Sequence, residues 1–421
     1  MFFCKHIQKL RNHYRHITLE KGFDFLAYEK ASEVDSETWN SILQNRNLYL
    51  ELGYLEILEG AGASDFKPRY VILFQKNRPV AIAYFQVIDF KASVFGEMLQ
   101  SKVNQVKSTR AKLFEKYIDK SKDEILLRLL TCGNNLISGE HGFLFNGNIS
   151  AEKQFNIIES LIEKIGKNDK LRGKISAVLV KDFYNPVKNK PACLFKHDNY
   201  IEFSVEPNMV VPIEENVKSL NDYISLYSKK YRNRAKAILD SGKDIKIVEL
   251  NEKDILKHEK DIYSLYMQVY NNAKFKLVKL PENYFSRCKK LFDSKFLVQG
   301  YFLNGKLLAF SSGIDLNNSC LEAHYIGFDY QLNRDYELYQ NILYSFLSTA
   351  IEMKKKRLNL GRSAAEIKST IGAKAQDLIC YVKPQNTVSK IILKPFIQFL
   401  QPAEWIPRNP FKDDLKPATN L

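Results

Sequence analysis

Four side chains in the second half of this 421-residue chain have types and spacing suited to group transfer. Glu322 and His324 lie two apart in CLEAHYIG, Cys320 to Gly327. On a strand that spacing puts both on one face and Tyr325 on the other. Either could take a proton from a reacting amine, directly or through water. Arg362 and Lys368 lie in RLNLGRSAAEIKSTIGAKAQDLICYVK, Arg357 to Lys383. Leu358 to Leu360 reads as a short strand ended by Gly361, then a turn at Arg362-Ser363. A short helix carries Lys368 and stops at Gly372, before a further strand from Leu378 to Val382. Binding groups are commonly carried on such turns, held by a rigid sheet. Arg362 there could bind a phosphate or carboxylate as a two-pronged fork. Each residue also has an ordinary reading. Glu322 and His324 could be a satisfied polar spot beside the core, and Arg362 and Lys368 an exposed, well-capped turn.

A second basic feature is YISLYSKKYRNRAKAIL, Tyr223 to Leu239, read as one helix. Arg232 and Lys236 share one face, and Lys230 and Arg234 an overlapping one. Such a stripe suits tRNA phosphates or a nucleotide pyrophosphate, or is simply a solvated face. Tyr227 and Tyr231 would anchor it. The run Lys354 to Arg357 closes a long helix, where cations offset the dipole.

The composition fits these readings without choosing among them. A formal net charge of +15 favours an anionic partner: a nucleotide, tRNA, a nucleotide-linked precursor or an anionic membrane face. With 45% hydrophobic and 26% charged residues the chain should fold as a globule, and its length suggests two or three domains. The six cysteines are scattered with no C-x-x-C pair, which suits reduced thiols in an intracellular protein. Cys4, His6, His13 and His16 match no zinc spacing, so no metal is expected. The N-terminus lacks the apolar core of a signal peptide, and no apolar run approaches the roughly 20 residues of a membrane helix. The expected location is cytoplasmic, with peripheral contact at the inner membrane face as an alternative. The tail from Thr387 to Phe411 could dock on a membrane. Its four prolines, Pro395, Pro402, Pro407 and Pro410, favour packing back on the protein instead.

The elements that must position these residues come in a repeated order. Arg69 to Gln75 and Pro79 to Phe90 flank the turn Lys76-Asn77-Arg78 and read as a hairpin. A charged helical insertion follows near 96–124, then a strand from Ile125 to Thr131, the loop CGNNLISGEHGFLF, a helix from Ala151 and a strand from Ile175 to Val180. Phe296 to Leu303 and Leu307 to Ile314 form a second hairpin around Asn304-Gly305-Lys306. The strand from Cys320, a helix from about Tyr336 and the strand at Leu358 complete the same order. The prolines in EPNMVVP, Glu206 to Pro212, mark the boundary. The predicted class is α/β, with two tandem units that are each a mixed sheet flanked by helices. The units are 1–205 and 206–386, with a Pro-rich tail at 387–421.

This β-β-β-α-β order resembles the core of the GNAT acyltransferases, and two such units in one chain resemble the Fem-type transferases of peptidoglycan biosynthesis. The resemblance rests on the basic helix, on HYIGFDYQLN…LYQNIL and on LGRSAAEIKSTIGA, and it covers most of the second half. It implies transfer of an acyl or aminoacyl group to an amine acceptor, with a cell-envelope precursor as one candidate. The co-substrate would be aminoacyl-tRNA or acyl-CoA, and no tightly bound cofactor is implied. Lys368 falls where Fem-type enzymes carry a functional lysine, so it would hold an anionic donor or stabilise the oxyanion. Glu322, His324 and Arg362 would converge on it. The glycine-free loop FDYQLNRDYELYQ, Phe328 to Gln340, departs from the Gly-rich coenzyme A loop of GNAT units, and Arg334 offers a phosphate contact in its place. An acyl-CoA-dependent enzyme of lipid or metabolite synthesis is one alternative. A degenerate unit that binds an anionic precursor or lipid without catalysis is another.

Overall fold

The computed structural model describes residues 17–19, 22–60, 66–91, 126–147, 149–167, 175–184, 199–273, 278–317, 319–387, 389–390, 393, 397, 400–402 and 404–412. The cluster Cys4, His6, His13 and His16 and the insertion at 96–124 lie outside them. The chain is a mixed α/β protein that packs as two compact units. The first comprises Met1–Val205 and Leu378–Gln401, the second Glu206–Asp377 and Pro402–Leu421.

The first unit runs β1 (Ile17–Leu19), β2 (Phe23–Tyr28), α1 (Ser36–Leu43), α2 (Leu52–Glu59), β3 (Phe66–Gln75), β4 (Arg78–Lys91), β5 (Leu126–Cys132), β6 (Phe143–Phe145), α3 (Ala151–Lys167) and β7 (Ala177–Tyr184). The β3–β4 hairpin turns on Lys76 and Asn77, both left-handed at φ 50° and 62°. That is the two-residue geometry that matches strand twist. β5 pairs antiparallel with β4, and the crossover helix α3 then delivers β7 parallel to β5. Phe155, Ile158, Leu161, Ile162 and Ile165 are the buried stripe of α3, at helical spacing.

The second unit runs β8 (Ile201–Pro212), α4 (Leu220–Ser225), α5 (Lys229–Ser241), β9 (Lys246–Glu249), α6 (Glu252–Lys257), α7 (Glu259–Asn272), α8 (Tyr284–Phe292), β10 (Phe296–Leu303), β11 (Lys306–Asn317), β12 (Cys320–Phe328), α9 (Asn333–Tyr336), α10 (Leu338–Glu352), β13 (Arg357–Asn359), α11 (Ala365–Ser369) and β14 (Lys374–Pro384). Its hairpin, β10–β11, also turns on two left-handed residues, Asn304 and Gly305. β12 pairs antiparallel with β11, and α10 leads to β13, parallel to β12. The order strand, strand, strand, helix, parallel strand thus occurs in each unit. From Leu378 on, β14 pairs antiparallel with β7 in the first unit. The end of β8 pairs antiparallel with β13 in the second.

Two expectations change, and a third, that the tail packs back on the protein, is met. The boundary between the units falls at Val205/Glu206, but Glu206 to Pro212 is strand rather than linker, the second half of β8, whose ladder to β13 involves Val210 to Pro212. The basic segment is two helices, α4 and α5, separated at Leu226 to Ser228. Described apolar residues of the tail pack on both cores. Leu393 and Ile397 are buried in the first unit and Phe411 in the second, where Ser228 N donates to Pro410 O at 2.8 Å. Among the described residues no helix is long and apolar enough to cross a membrane.

Candidate functional site

The parallel ladder between β12 and β13 ends at the pair Glu322–Asn359. β12 continues to Phe328, whereas β13 stops at Asn359 and the chain turns away. Beyond Glu322, therefore, one edge of β12 has no strand beside it among the described residues, and the two strand ends form a notch. Asn359 Nδ2 donates to Glu322 Oε2 at 3.0 Å, fixing the carboxylate at its base. Asn359 Oδ1 accepts from Gly361 N at 3.0 Å, which starts the turn bearing Arg362. Arg362 is half-buried, and Ser363 and Ala364 are exposed. The turn is sharply bent, with Gly361, Ser363 and Ala364 left-handed at φ 68°, 68° and 48°.

Lys368 is only 5% exposed. Its ammonium donates to Leu360 O at 2.8 Å, Gly361 O at 3.3 Å and Arg362 O at 2.6 Å. Those three bonds use all the donors a lysine has. Lys368 therefore braces the turn rather than presenting free charge to a substrate. Burial lowers its pKa to about 7, against which the Glu206 carboxylate acts in the opposite direction.

His324 is drawn toward α8. Its Nε2 and the Tyr284 hydroxyl are 2.6 Å apart, and its ring lies against Tyr284, Phe296 and Tyr325. Part of its surface is exposed, yet enclosure by these rings lowers its pKa to about 3, through desolvation. A ring so reluctant to protonate is a poor general base near neutral pH. The alternation rule fails one residue later. Ser312 pairs with Tyr325 and Gly313 with Ala323, so His324 is the extra residue of a β-bulge. Tyr325 consequently packs on Tyr266, Tyr284 and Phe285, on the same side as His324 instead of opposite it. Ser312 stitches the bulge, since its hydroxyl accepts from Tyr325 N and donates to Tyr325 O, both at 3.0 Å.

No protein-family model matches the sequence, and no curated protein does. Several solved structures are similar. FemX has 10% identity and a TM-score of 0.48, over 87% of this chain and 98% of that one. L-PGS from Bacillus licheniformis has 10% identity and a TM-score of 0.48, over 88% and 98%. A tandem GNAT protein from the clavulanic acid biosynthesis pathway has 8% identity and a TM-score of 0.48, over 86% and 99%. At such identities each is a likeness of fold and nothing more.

The remaining expected residues lie on α5 and α9, and one of them, Arg234, reaches the start of α10. Lys230 and Arg234 are exposed on α5, and Arg234 Nη2 donates to Gln340 Oε1 at 3.4 Å. Lys230 also lies over the Tyr231 ring, and Arg232 Nη1 donates to Tyr227 O at 3.3 Å. Tyr227 is fully buried, the expected anchor. Arg334 is exposed on α9. The loop before α10 uses its own side chains as caps. Asp329 Oδ1 accepts from Gln331 N, and Asn333 Oδ1 accepts from Tyr339 N, both at 2.9 Å. Two backbone donors there, Gln331 N and Tyr339 N, are thus taken by the loop's own side chains and not open to a pyrophosphate.

Sequence reasoning missed Asn359, Tyr284 and Ser312. Asn359 had a signal, a polar residue between two leucines at the end of a strand. The other two had none that period or spacing reveals. Among the described residues no group of acidic, histidine and cysteine side chains could hold a metal ion.

Proposed function

We propose that the second unit transfers an acyl or aminoacyl group from an activated donor to an amine, in the notch between β12 and β13. One observation carries the reading. The open edge of β12 starts where Asn359 fixes the Glu322 carboxylate, beside a braced turn carrying Arg362. An amine attacking a bound carbonyl must lose a proton, and Glu322 can take it directly or through water. The free edge of β12 offers backbone donors to the carbonyl oxygen as charge develops. Arg362 would hold an anionic part of the donor or acceptor, and Lys368 acts through the turn. His324, neutral and bonded to Tyr284, shapes the wall.

The donor, by this reading, is aminoacyl-tRNA or acyl-CoA, steered by Lys230, Arg234 and Arg334. The acceptor is an amine such as that of a cell-envelope precursor, met in the cytoplasm or at the inner membrane face. The Tyr339 amide, taken by Asn333 at the start of α10, and the absence of glycine in the preceding loop favour the tRNA donor over coenzyme A. They equally favour a second reading, a unit that binds an anionic precursor or lipid without catalysis.

Mass spectrometry of ligands that co-purify from the protein's own host would name the donor and acceptor. With those in hand, Glu322→Gln should lower turnover by about 10²- to 10⁴-fold with little change in melting temperature. Unchanged turnover in that variant removes Glu322 from the chemistry. Absence of any transfer with the co-purified pair supports the binding-only reading.

A further inference from the structure

The packing of the tail leaves one stretch of it outside. Trp405 to Asn409 has no regular structure, and Phe411 anchors its far end in the second core. Arg408 Nε donates to Glu366 Oε1 and Arg408 N to Ser369 Oγ, both at 3.0 Å, which ties the stretch to α11. An exposed isoleucine flanks that tie on each segment. Ile406 is 61% exposed, the highest value among the described large apolar residues, and Ile367 is 38% exposed. Trp405 is half-buried against the second core, and Pro407 is exposed. Single exposed apolar residues are ordinary, but these lie on two tied segments with a tryptophan beside them. The backbone there asks little of water. Pro407 and Pro410 have no N–H, and Phe411 N donates to Asn409 Oδ1 at 3.2 Å. Cations border the stretch. Ser228 N donates to Pro410 O at 2.8 Å, which sets the exposed Lys229 beside it, and Lys412 N donates to Leu226 O at 3.2 Å. Against them stand Glu404, exposed in the same stretch, and Glu366, which Arg408 already pairs.

We propose that Trp405, Ile406, Pro407 and Ile367 form a spur that docks on an anionic lipid surface. The apolar tip enters the boundary between headgroups and acyl chains, and Lys229 and Lys412 meet the headgroups. A tryptophan suits that depth, with an apolar ring and one polar N–H. Size argues against a protein in this place. Two isoleucines, a proline and part of a tryptophan fall far short of the roughly 800 Å2 per partner that a stable protein interface buries. A membrane needs no such area, because each lysine near an anionic surface strengthens partitioning by about fivefold. Ile367 directly precedes Lys368, which braces the turn carrying Arg362 on the wall of the notch. A docked spur therefore holds that turn close to the lipid. On the acyl-transfer reading, the acceptor is then an amine on a lipid-borne molecule; the docking itself does not rest on that reading.

The chain's two tryptophans make the test direct. Trp39 is fully buried and its indole N–H donates to Leu50 O at 2.8 Å, so it is the internal reference. On vesicles of phosphatidylcholine with phosphatidylglycerol, the emission of Trp405 should shift to the blue. Lipids brominated along their chains should quench it. In Trp405→Phe the remaining emission should not respond. Ile406→Asp should lower partitioning by about tenfold or more. Lys229→Gln should lower it by about fivefold, on the anionic vesicles alone. Both are surface changes, and unchanged melting temperatures would confirm that the variants fold. An absence of quenching, equal binding to pure phosphatidylcholine, or binding indifferent to Ile406→Asp overturns the proposal. So does self-association without lipid that Ile406→Asp abolishes in sedimentation, since a second copy then covers the spur. Failure of the acyl-transfer reading would appear separately, as turnover that ignores Glu322→Gln while vesicle binding persists.

Discussion

The corresponding places in the two units are built in opposite ways. In the first unit β5 turns away after Cys132, while β7 runs on through Lys181 and Asp182. The loop from Gly133 to Gly142 fills that place. Lys181 Nζ donates to Ile137 O at 2.9 Å and pairs with Asp182, which accepts from Gly139 N at 3.1 Å. Gln86, fully buried, bonds to both Asn134 and Asn135. What space remains is a cavity of about 10 Å3 lined by Tyr84, Asn134 and Glu140, room for roughly one water. In the second unit β12 outruns β13 and nothing comparable crosses the gap among the described residues. Both units carry a buried lysine beside this point, but only Lys181 has a buried carboxylate partner. The first unit fills its strand ends with its own loop, and the second leaves the edge of β12 unpaired by a strand among the described residues.

Glycines give the hardest test of that contrast. A Cβ on Gly142 would lie 2.3 Å from Gly133 Cα, at φ +79°. Gly142→Ala should therefore cost on the order of 3 kcal/mol or more, from strain and overpacking together. Gly361 has φ +68° but open space around its Cβ position, so Gly361→Ala should cost only about 1–2 kcal/mol. Urea unfolding of the two variants would compare them. Equal losses would mean that the turn in the second unit is as tightly enclosed as the loop in the first.

The lysines come next. Lys181→Met strands the buried Asp182 carboxylate, and removing one partner of a buried pair typically costs about 3–5 kcal/mol. Lys368→Met strands no carboxylate and removes a charge whose burial was already unfavourable. Its loss should stay within about 1–2 kcal/mol, near the penalty for an unsatisfied carbonyl or two. A larger loss for Lys368→Met than for Lys181→Met would reverse this contrast between the two units.

What the sequence revealed follows from where short-range signals decide the structure. Asn77 and Gly305 mark two-residue turns, and both hairpins were legible from them. So was the order around Gly361, because glycine ends a strand and Lys368 sits in a short segment before Gly372. The face of Tyr325 was not legible, because a bulge at His324 resets the period of two and nothing local announces it. Nor was the burial of Lys368, which depends on three carbonyls that the turn folds over it. The prolines of Glu206 to Pro212 point to the boundary at Glu206 but hide that the segment is a strand, because the ladder to β13 begins at Val210, beyond Pro207. Helices α6 to α8 carried no motif, so the partner of His324, Tyr284, could not be named.

Histidine titration acts with the same sign in both units. His141 stacks on Phe183 with centroids 5.0 Å apart, and burial lowers its pKa to about 4. That of His324 is lowered to about 3. Both folded values lie below the ordinary 6.5, so the folded state keeps neutral rings. Stability present above pH 6.5 is lost as pH falls toward 4 and 3. Each ring should contribute a slope of up to about 1.4 kcal/mol per pH unit in that window. His141→Gln and His324→Gln should each flatten the acid limb of stability against pH. Limbs as steep as that of the native protein would show that one or both rings are already solvated.

The smallest expected effect is the affinity for free coenzyme A. A pyrophosphate bound at a helix start needs free backbone N–H groups and a favourable dipole. At α10 the Tyr339 amide is taken by Asn333, and the Gln331 amide by Asp329. Asp329, Asp335 and Glu337 also place three carboxylates along the approach, where a phosphate would be repelled. The exposed cations Lys230, Arg234 and Arg334 attract anions at long range but form no cradle. Coenzyme A should thus bind no tighter than about millimolar, near −4 kcal/mol, and only at low salt, where exposed charges are least screened. Calorimetry at two salt concentrations would measure it. Micromolar binding that survives raised salt and disappears when the loop from Phe328 to Gln340 is altered would put coenzyme A back as the donor. It would also make the start of α10, not the open edge of β12, the feature that separates the second unit from the first.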